Sequence, residues 1–331
     1  MEKFKVYRLR EADRKVVAAF EESAIDELDP GDVTVRVAYS SVNYKDALAA
    51  TGKGRIIRRF PCIGGIDLSG TVVESRDTRF RRGDAVIATS YDIGVAHDGG
   101  FAEYARLPAA WIVPMPKGMT LFDAMALGTA GFTAGLAVVR MLHEGLKPGK
   151  GPVVVSGATG GVGSVAIDIL AGLGYEVVAL TGKEGEVGYL KELGAKDVML
   201  RAGLDLAKIK PLDKATWAGA VDNLGGEVLA WMASTMHIGA PIASVGLAAS
   251  MNLNTTVAPF ILRGVSLLGV DSVNCEMEVR QKVWERLATD MKPRHLAGAT
   301  RTIPFEQLPT VFDDFIASRM KGRIVVDMAA G

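Results

Sequence analysis

The most informative segment of the sequence is Pro152-Val-Val-Val-Ser156-Gly-Ala-Thr-Gly-Gly161-Val-Gly-Ser164. Its opening run of valines is typical of a strand that is buried on both faces. Four glycines follow within seven residues, and apolar side chains then recur at helical spacing up to Gly174. The stretch therefore predicts a buried strand, a glycine-rich turn and a helix.

The turn carries a dinucleotide fingerprint, because Gly161-x-Gly163-x-x-Ala166 fits the pattern G-x-G-x-x-G/A. Residues without a bulky side chain let the backbone approach a pyrophosphate, whose charge is stabilised by amides at the helix N-terminus. The alternative is a glycine-rich turn without a ligand. A second strand at Glu176–Leu180 continues the βαβ pattern and favours nucleotide binding.

Length and composition exclude several classes of protein. The chain has 331 residues, of which 49% are hydrophobic, so two domains with their own cores are expected. Lys plus Arg equals Asp plus Glu at 38 each, which argues against nucleic acid as a partner. The sequence shows no signal-peptide core and no long uninterrupted apolar run, so no membrane partner is expected. Two cysteines exclude a disulfide framework and indicate the cytoplasm, and the four histidines lack metal-ligand spacing.

The chain divides into a β-rich part and a part in which strands and helices alternate. Short strands with frequent Gly and Pro fill the first part, among them Val33–Tyr39 and Gly99–Arg106. From the glycine-rich strand onward the alternation is typical of a doubly wound parallel sheet. We therefore predict an α/β fold. A β-rich, barrel-like domain covers residues 1–122 and is completed by 295–331, and a Rossmann dinucleotide-binding domain covers 123–294.

The order of these parts resembles the medium-chain dehydrogenase/reductase superfamily over essentially the whole chain. More specific segments resemble its acryloyl-CoA reductase branch; they are Ser40–Asp46, Thr51–Arg58, Phe60-Pro61, Gly65–Asp67, Gly128–Thr133, Thr256–Arg263 and Gly269–Val273. The resemblance implies a GroES-like first domain and a zinc-free, NADPH-dependent reductase of short α,β-unsaturated acyl-CoA thioesters. It also implies a homodimer through an edge strand near Ser266–Val273, although the sequence leaves a monomer open.

A zinc ion is not expected. Zinc-dependent members of the superfamily carry a cysteine where this chain has Asn43, and Gly-His-Glu where it has Gly65-Ile66-Asp67. Zinc favours thiolate and imidazole ligands, which asparagine and isoleucine cannot replace. The run of four cysteines that holds a structural zinc is missing from the sequence as well.

The end of the second Rossmann strand predicts NADPH rather than NADH. An NAD enzyme places a carboxylate there, about 20 residues beyond the glycines, to bind the ribose 2′-hydroxyl. Here the strand ends in Leu180-Thr-Gly-Lys183, and a hydroxyl, a small residue and a cation suit a 2′-phosphate. The alternative is that Lys183 is only solvated. The predicted cofactor-binding residues are Tyr44, Thr159, Gly160, Gly161, Val162, Gly163, Thr181, Gly182, Lys183, Tyr189, Arg201, Leu247, Ser272 and Arg323.

Tyr44 is the predicted catalytic residue, with Asn43 beside it. The resemblance implies that Tyr44 faces the nicotinamide and the substrate, where a phenol can hydrogen-bond the thioester carbonyl or relay a proton. The alternative is a half-buried tyrosine at a strand end. Clustered cations in one loop match the phosphates of coenzyme A, although basic loops are often only solvated. These predicted substrate-binding residues are Lys53, Arg55, Arg58 and Arg59.

The predicted function is reduction of the carbon–carbon double bond of acryloyl-CoA to propanoyl-CoA, by hydride transfer from NADPH. The alternatives are an NADPH-dependent quinone or enone reductase and a protein that binds NADPH without catalysis. The sequence leaves open the acyl-chain range, the proton donor, the stereochemistry of transfer and the physiological pathway.

Overall fold

The computed structural model describes residues 3–329, and their contacts divide into two units. The first unit runs to Thr129 and also contains Val273–Glu285 and the segment from Leu296 onward. The second unit contains Ala130–Ser272 and Arg286–His295. This division falls later than residue 122 and assigns 273–285 to the first unit, and the domain boundaries 1–122, 123–294 and 295–331 stay a prediction.

Regular secondary structure covers both units. The strands, in chain order, are β1 (Phe4–Ala12), β2 (Lys15–Ser23), β3 (Val33–Val42), β4 (Cys62–Ile63), β5 (Asp67–Ser75), β6 (Ala85–Thr89), β7 (Tyr104–Leu107), β8 (Ile112–Pro114), β9 (Val153–Ser156), β10 (Val177–Thr181), β11 (Asp197–Leu200), β12 (Gly219–Asp222), β13 (Pro241–Ser244), β14 (Ser266–Gly269), β15 (Thr300–Pro304) and β16 (Arg323–Asp327). The helices are α1 (Tyr44–Thr51), α2 (Leu121–His143), α3 (Gly161–Gly172), α4 (Val187–Glu192), α5 (Gly226–Thr235), α6 (Ala258–Arg263), α7 (Met277–Ala288) and α8 (Pro309–Ile316).

The first unit is built around a sheet in the order β15-β16-β3-β5-β6-β8, and β7 also pairs with β3. A smaller sheet has the order β2-β1-β4. The valines that alternate along the start of β3 are buried in the core, as period-two patterning requires. The C-terminal tail joins this unit through β16, which pairs antiparallel with β3.

The strand predicted over Gly99–Arg106 is shorter in the structure and begins only at Tyr104. Close backbone approach explains the difference. A Cβ on Gly100 would lie 2.1 Å from the carbonyl oxygen of Asp67, so this glycine packs a loop directly against β5. Gly99 and Gly100 therefore belong to a closely packed loop that precedes strand β7.

The second unit contains a six-stranded sheet in the order β11-β10-β9-β12-β13-β14, and all five pairings are parallel. The chain goes from β9 outward to β10 and β11, and then returns to the other side of β9 to form β12. The reversal therefore occurs at β9, the strand that precedes the glycine-rich turn, where such sheets bind their ligands. The predicted α/β class with a Rossmann-type parallel sheet is confirmed.

Helix α2 is long and apolar enough, by length and composition alone, to cross a membrane. In the structure 78% of the most apolar 18-residue segment of this helix is buried inside the protein, as is typical of a core helix. The helix is interrupted at Gly128, whose φ of 52° and ψ of −157° are not helical. This break has a specific cause in the first unit, described below.

Gly70 gives a test of the packing between β3 and β5. A Cβ on Gly70 would lie 2.1 Å from the carbonyl oxygen of Arg36 and 2.8 Å from a methyl carbon of Val35. We expect Gly70→Ala to lower the free energy of unfolding by about 2 kcal/mol or more, because the two strands must separate to admit the methyl group. Urea unfolding measures the change. The control is Gly185→Ala, whose Cβ would meet nothing within 4 Å, and an equal loss in both variants would contradict the explanation.

Candidate active site

The glycine-rich turn joins β9 to α3 and is held close to the sheet. A Cβ on Gly163 would lie 2.4 Å from the carbonyl oxygen of Gly157 and 2.8 Å from Cα of Ala158, so only glycine permits this packing of the helix on the turn. Gly157 itself has a φ of +58°. The predicted cofactor residues Thr159–Gly163 therefore lie together at the carboxyl end of β9.

The first amides of α3 suit an anion. Gly160 lies immediately before the helix, and the amide of Ser164 is the first to be bonded back to the carbonyl oxygen of Gly160. The amides that precede Ser164 in the first turn of α3 have no carbonyl partner within the helix, as in the first turn of any α-helix. Together with the positive end of the helix dipole they fit a pyrophosphate. The residues present therefore fit a dinucleotide.

The end of β10 places small and basic groups beside this turn. Thr181 is buried, and its Oγ1 accepts a hydrogen bond of 3.0 Å from the amide of Lys183. The guanidinium of Arg201 lies over Gly182, since a Cβ on Gly182 would be 3.5 Å from Nη2. Arg201 is exposed and forms no ion pair with another residue in the range 3–329. Two cations next to a residue without a side chain fit a 2′-phosphate.

Three other predicted cofactor residues of the second unit, Tyr189, Leu247 and Ser272, have different surroundings. Tyr189 donates a hydrogen bond of 2.9 Å from its hydroxyl to Ser164 Oγ, so it ties α4 to α3. Burial raises the pKa of this phenol. Leu247 is 62% exposed in the loop after β13, and Ser272 is buried near the end of β14. Direct cofactor contacts of these three residues stay predictions.

Tyr44 is the first residue of α1 and is 49% exposed. Its hydroxyl makes no hydrogen bond to any of the residues that the structure describes. The helix was not expected from the sequence, and Asp46 explains why it begins here. Asp46 Oδ2 accepts a hydrogen bond of 2.8 Å from the amide of Asn43, which satisfies a donor at the start of the helix. The phenol is thus presented from a fixed backbone by a residue that is half exposed.

Behind Tyr44 lies a group of polar residues, most of them buried, which we call the Arg323 cluster. It consists of Ser41, Asn43, Asp46, Asp67, Thr129 and Arg323. Arg323 is 3% exposed and donates to Asn43 Oδ1 at 3.2 Å and to Ser41 Oγ at 2.9 Å. Ser41 Oγ in turn donates to Asp67 Oδ2 at 2.6 Å, and Asn43 Nδ2 donates to the same oxygen at 2.8 Å. A hydroxyl and a carboxamide therefore connect the guanidinium to the carboxylate.

The break in α2 completes this cluster. Arg323 Nε donates to the carbonyl oxygen of Ala126 at 3.0 Å, and the amide of Thr129 donates to Asp67 Oδ2 at 2.8 Å. A Cβ on Gly128 would lie 2.5 Å from Arg323 Nη2 and 2.6 Å from Asp67 Oδ2. The helix is therefore interrupted where its backbone must supply an acceptor to the guanidinium and a donor to the carboxylate.

Burial dominates the ionisation of the cluster. It raises the pKa of Asp46 to about 7, with a further contribution from the negative charge of Asp67. Burial also lowers the pKa of Arg323 from its ordinary value, against the opposing effect of Asp67 and Asp46. An arginine remains protonated even so. The cluster thus holds a permanent positive charge beside the carboxyl group of Asp46, which ionises only near neutral pH.

Two predicted site residues, Asn43 and Arg323, form hydrogen bonds within this cluster. Asn43 is buried, its Nδ2 donates to both carboxylates, and its Oδ1 accepts from Arg323. Arg323 has protein partners for Nε, Nη1 and Nη2. Both side chains are therefore engaged by protein partners, and their predicted roles in catalysis and in cofactor binding stay predictions. Within residues 3–329 no group of three or more His, Cys, Asp and Glu side chains could hold a metal ion, and the absence of zinc stays a prediction.

The basic loop, which carries the four predicted substrate-binding cations between Lys53 and Arg59, contains two kinds of residue. Arg58 forms an ion pair with Asp92, and Arg59 forms one with Asp29. Lys53 and Arg55 are exposed and form no ion pair or side-chain hydrogen bond with any residue from 3 to 329. The loop therefore presents two cations, rather than four, that are not already neutralised by the protein.

Sequence reasoning did not identify the polar group at the end of β12. Asp222 is buried, and burial raises the pKa of its carboxyl group. It accepts hydrogen bonds from Ser156 Oγ at 2.7 Å and from the amide of Gly225 at 2.8 Å. Asn223 follows and lies against Gly157. The signal was present as a polar residue at the end of a buried strand, Asp222, and a second polar residue directly after it, Asn223.

Two family models match the chain. The alcohol dehydrogenase GroES-like domain matches residues 29–117, and the zinc-binding dehydrogenase model matches residues 161–289. The predicted GroES-like character of the β-rich part and the predicted dehydrogenase relationship are thereby confirmed.

Full-length relatives agree with these models. The acrylyl-CoA reductase AcuI of Ruegeria pomeroyi is 45% identical over 97% of each chain. YhfP of Bacillus subtilis, provisionally named a quinone oxidoreductase, is 48% identical over 92% of each chain. Its crystal structure with NAD bound has a TM-score of 0.97 and covers 99% of this chain and 100% of its own. The YhdH oxidoreductase of Salmonella enterica, solved in complex with NADP, is 45% identical, with a TM-score of 0.95 and coverage of 98% and 99%.

Asp46 gives a test of the cluster through pH. Its pKa is raised in the folded state, so the unfolded state loses the Asp46 proton first as the pH rises. The stability contributed by Asp46 is therefore fully present below the unfolded pKa of about 4 and is lost as the pH rises through about 7. Between about pH 5 and about pH 7.5 the unmodified protein should lose of order 2 kcal/mol more unfolding free energy than Asp46→Asn. Urea unfolding at both pH values measures this difference.

The matched control for this test is Asp26→Asn, which changes an exposed carboxylate of the same unit. It should follow the unmodified protein across the pH range. The same pH dependence in the unmodified protein and in Asp46→Asn would contradict an ionisation of Asp46 near neutrality.

Proposed function

Because the chain belongs to the medium-chain dehydrogenase/reductase superfamily, in its zinc-free, quinone oxidoreductase-like branch, we propose that it reduces acryloyl-CoA or a close short-chain enoyl-CoA. The general class of the protein is that of an NADP-dependent oxidoreductase, and the substrate is the part that we propose. Similarity to the acrylyl-CoA reductase of Ruegeria pomeroyi over 97% of the chain supports the substrate class.

The prediction of NADPH as cofactor is confirmed by relatives solved with NADP or NADPH bound. The chain's own residues agree, because Thr181, Lys183 and Arg201 surround Gly182 at the end of β10. NAD is bound in the solved structure of the Bacillus relative, so the discrimination between the two cofactors is a property to be measured.

Different residues would bind the cofactor and act on the substrate. A bound NADPH would supply hydride chemistry, and the carbonyl group of the thioester makes its β-carbon the electrophilic position. The turn before α3 would hold the pyrophosphate of the cofactor, and the residues at the end of β10 would hold its 2′-phosphate. Tyr44 donates a hydrogen bond to the thioester carbonyl, which stabilises the enolate oxygen, and it can deliver the proton to the α-carbon. The Arg323 cluster fixes the start of α1 and so orients this phenol.

The observation that favours a CoA thioester over a quinone is the pair Lys53 and Arg55. Both cations are exposed on the loop after α1 and lack a counter-charge within the described part of the chain. Coenzyme A carries phosphates that such cations bind, whereas a simple quinone offers nothing for them. A quinone is the second candidate substrate, supported by the similarity to YhfP.

Lys183 tests the choice of cofactor. We expect Lys183→Asp to weaken NADPH binding tenfold or more, because a charge-assisted hydrogen bond contributes about 1.5–3 kcal/mol and the new carboxylate repels the 2′-phosphate. NADH binding should change little. Fluorescence titration with both cofactors measures the effect, with Lys208→Asp, an exposed lysine of the same unit, as control. Equal losses for NADPH and NADH would mean that Lys183 does not bind the phosphate.

The basic loop tests the acyl-CoA assignment. The double variant Lys53→Gln/Arg55→Gln should raise KM for acryloyl-CoA about tenfold and change kcat less, because the contacts lie far from the reacting carbons and exist in ground and transition states alike. The N-acetylcysteamine thioester of acrylate, which lacks the phosphates, should be almost unaffected. Initial rates of NADPH oxidation with the two substrates measure the difference.

The matched control is Arg58→Gln/Arg59→Gln, in which the changed cations are already paired with Asp92 and Asp29. It should raise KM for acryloyl-CoA less than the first double variant. Equal losses on both thioesters would assign the loop to folding or to NADPH binding. Rapid turnover of a quinone with none of acryloyl-CoA would establish the second candidate, and NADPH binding without turnover of either would exclude both.

A further inference from the structure

The carboxyl end of β12 carries a buried acceptor without a protein partner. Asn223 Oδ1 is shielded from solvent and accepts no hydrogen bond from the part of the chain that the structure describes. A buried polar atom of this kind is rare and costly in a folded protein, so its retention calls for a ligand or a water molecule.

The orientation of this carboxamide is fixed by its neighbours. Asn223 Nδ2 donates to the carbonyl oxygen of Ser156 at 2.7 Å, and the amide of Asn223 donates to Ser156 Oγ at 2.9 Å. A carbonyl oxygen can only accept, so the nitrogen must face Ser156 and Oδ1 must face away. Ser156 is held in turn by Asp222. The acceptor is therefore placed by a rigid set of hydrogen bonds.

Two glycines adjoin Asn223 at the same edge of the sheet. A Cβ on Gly157, directly after β9, would lie 3.1 Å from Cβ of Asn223. A Cβ on Gly246, after β13, would lie 2.5 Å from the Asn223 carbonyl oxygen. Asn223 is therefore packed where the carboxyl ends of β9, β12 and β13 meet, which is the edge at which open α/β sheets bind ligands.

The strand order shows which half of a dinucleotide reaches this point. The residues suited to a 2′-phosphate follow β10, on one side of β9, and the turn suited to the pyrophosphate follows β9 itself. β12 and β13 lie on the other side of β9. A cofactor that spans these points in order must extend its nicotinamide half toward the end of β12.

We propose that Asn223 Oδ1 accepts a hydrogen bond from the nicotinamide half of the cofactor, from a hydroxyl of its ribose or from the N–H of its carboxamide. The inference rests on the dinucleotide binding proposed above and adds a contact residue to it. Asn223 then has two tasks: its nitrogens hold the turn after β9, and its oxygen binds the ligand.

Binding to the purified full-length chain tests this contact without a measurement of turnover. Asn223→Ala should weaken NADPH binding about five- to tenfold, as expected for one neutral hydrogen bond. Adenosine 2′,5′-bisphosphate, which lacks the nicotinamide half, should bind within about twofold of the unmodified protein because its own contacts are retained. The control is Asn252→Ala, an exposed asparagine of the same unit, which should change neither affinity.

The two possible donors are separated by 2′-phospho-ADP-ribose, which has the second ribose but no carboxamide. A loss of affinity for this ligand in Asn223→Ala assigns the ribose hydroxyl, and a loss with NADPH alone assigns the carboxamide. Asn223→Asp provides a second variant that keeps an acceptor oxygen and removes the donor to Ser156. It should bind NADPH more tightly than Asn223→Ala if the oxygen carries the contact.

Three results would overturn the inference. Equal losses for NADPH and the bisphosphate would show that the substitution disturbs the turn, and unchanged affinity for both would show that Oδ1 is satisfied by water alone. NADPH binding by Asn223→Asp as weak as by Asn223→Ala would assign the residue a purely structural task. An unmodified protein that fails to bind NADPH would be a different result, because it would remove the proposed cofactor itself.

Discussion

Arg323 is buried beside two carboxylates, and taking such charges out of water is costly unless every donor and acceptor is satisfied. The first unit meets this requirement with side chains from β3, α1, β5 and β16 and with backbone groups from α2. Elements that are far apart in sequence are therefore tied to one buried point. The position of Tyr44 depends on this cluster, because Asp46, one of its members, also accepts the hydrogen bond at the start of helix α1.

The second unit depends on close backbone approach in place of buried charge. Gly163 lets α3 rest on the turn after β9, and Gly246 lets the chain after β13 pass the carbonyl of Asn223. Both contacts bring polar backbone groups to the carboxyl edge of the parallel sheet. A ligand at that edge is therefore bound by groups that the fold has already ordered, so little conformational entropy is lost on binding.

The sequence was sufficient where a periodic pattern coincides with local geometry. The valines of β9, the glycines that follow and the apolar face of α3 made the Rossmann core predictable. Helix α1 was not predicted, because it is short and its start depends on Asp46, whose other partner, the amide of Ile66, is distant in sequence. The partners of Arg58 and Arg59 lie about thirty residues away, so local reading could not separate them from Lys53 and Arg55. The burial of Arg323 and its partners in the cluster could not be predicted, because burial is not visible in a single sequence.

The interruption of α2 at Gly128 has a consequence for how such a site can evolve. The space that a methyl group would need there is occupied by the Arg323 guanidinium and the Asp67 carboxylate. Loss of Arg323 alone removes the cation that matches the buried carboxyl groups, and loss of Asp67 alone removes part of the charge that matches Arg323, so each single step passes through a less stable protein. A lineage could therefore replace this arginine-centred cluster only by several coordinated substitutions. The cluster is therefore separated from alternative sets of side chains by a barrier in sequence space.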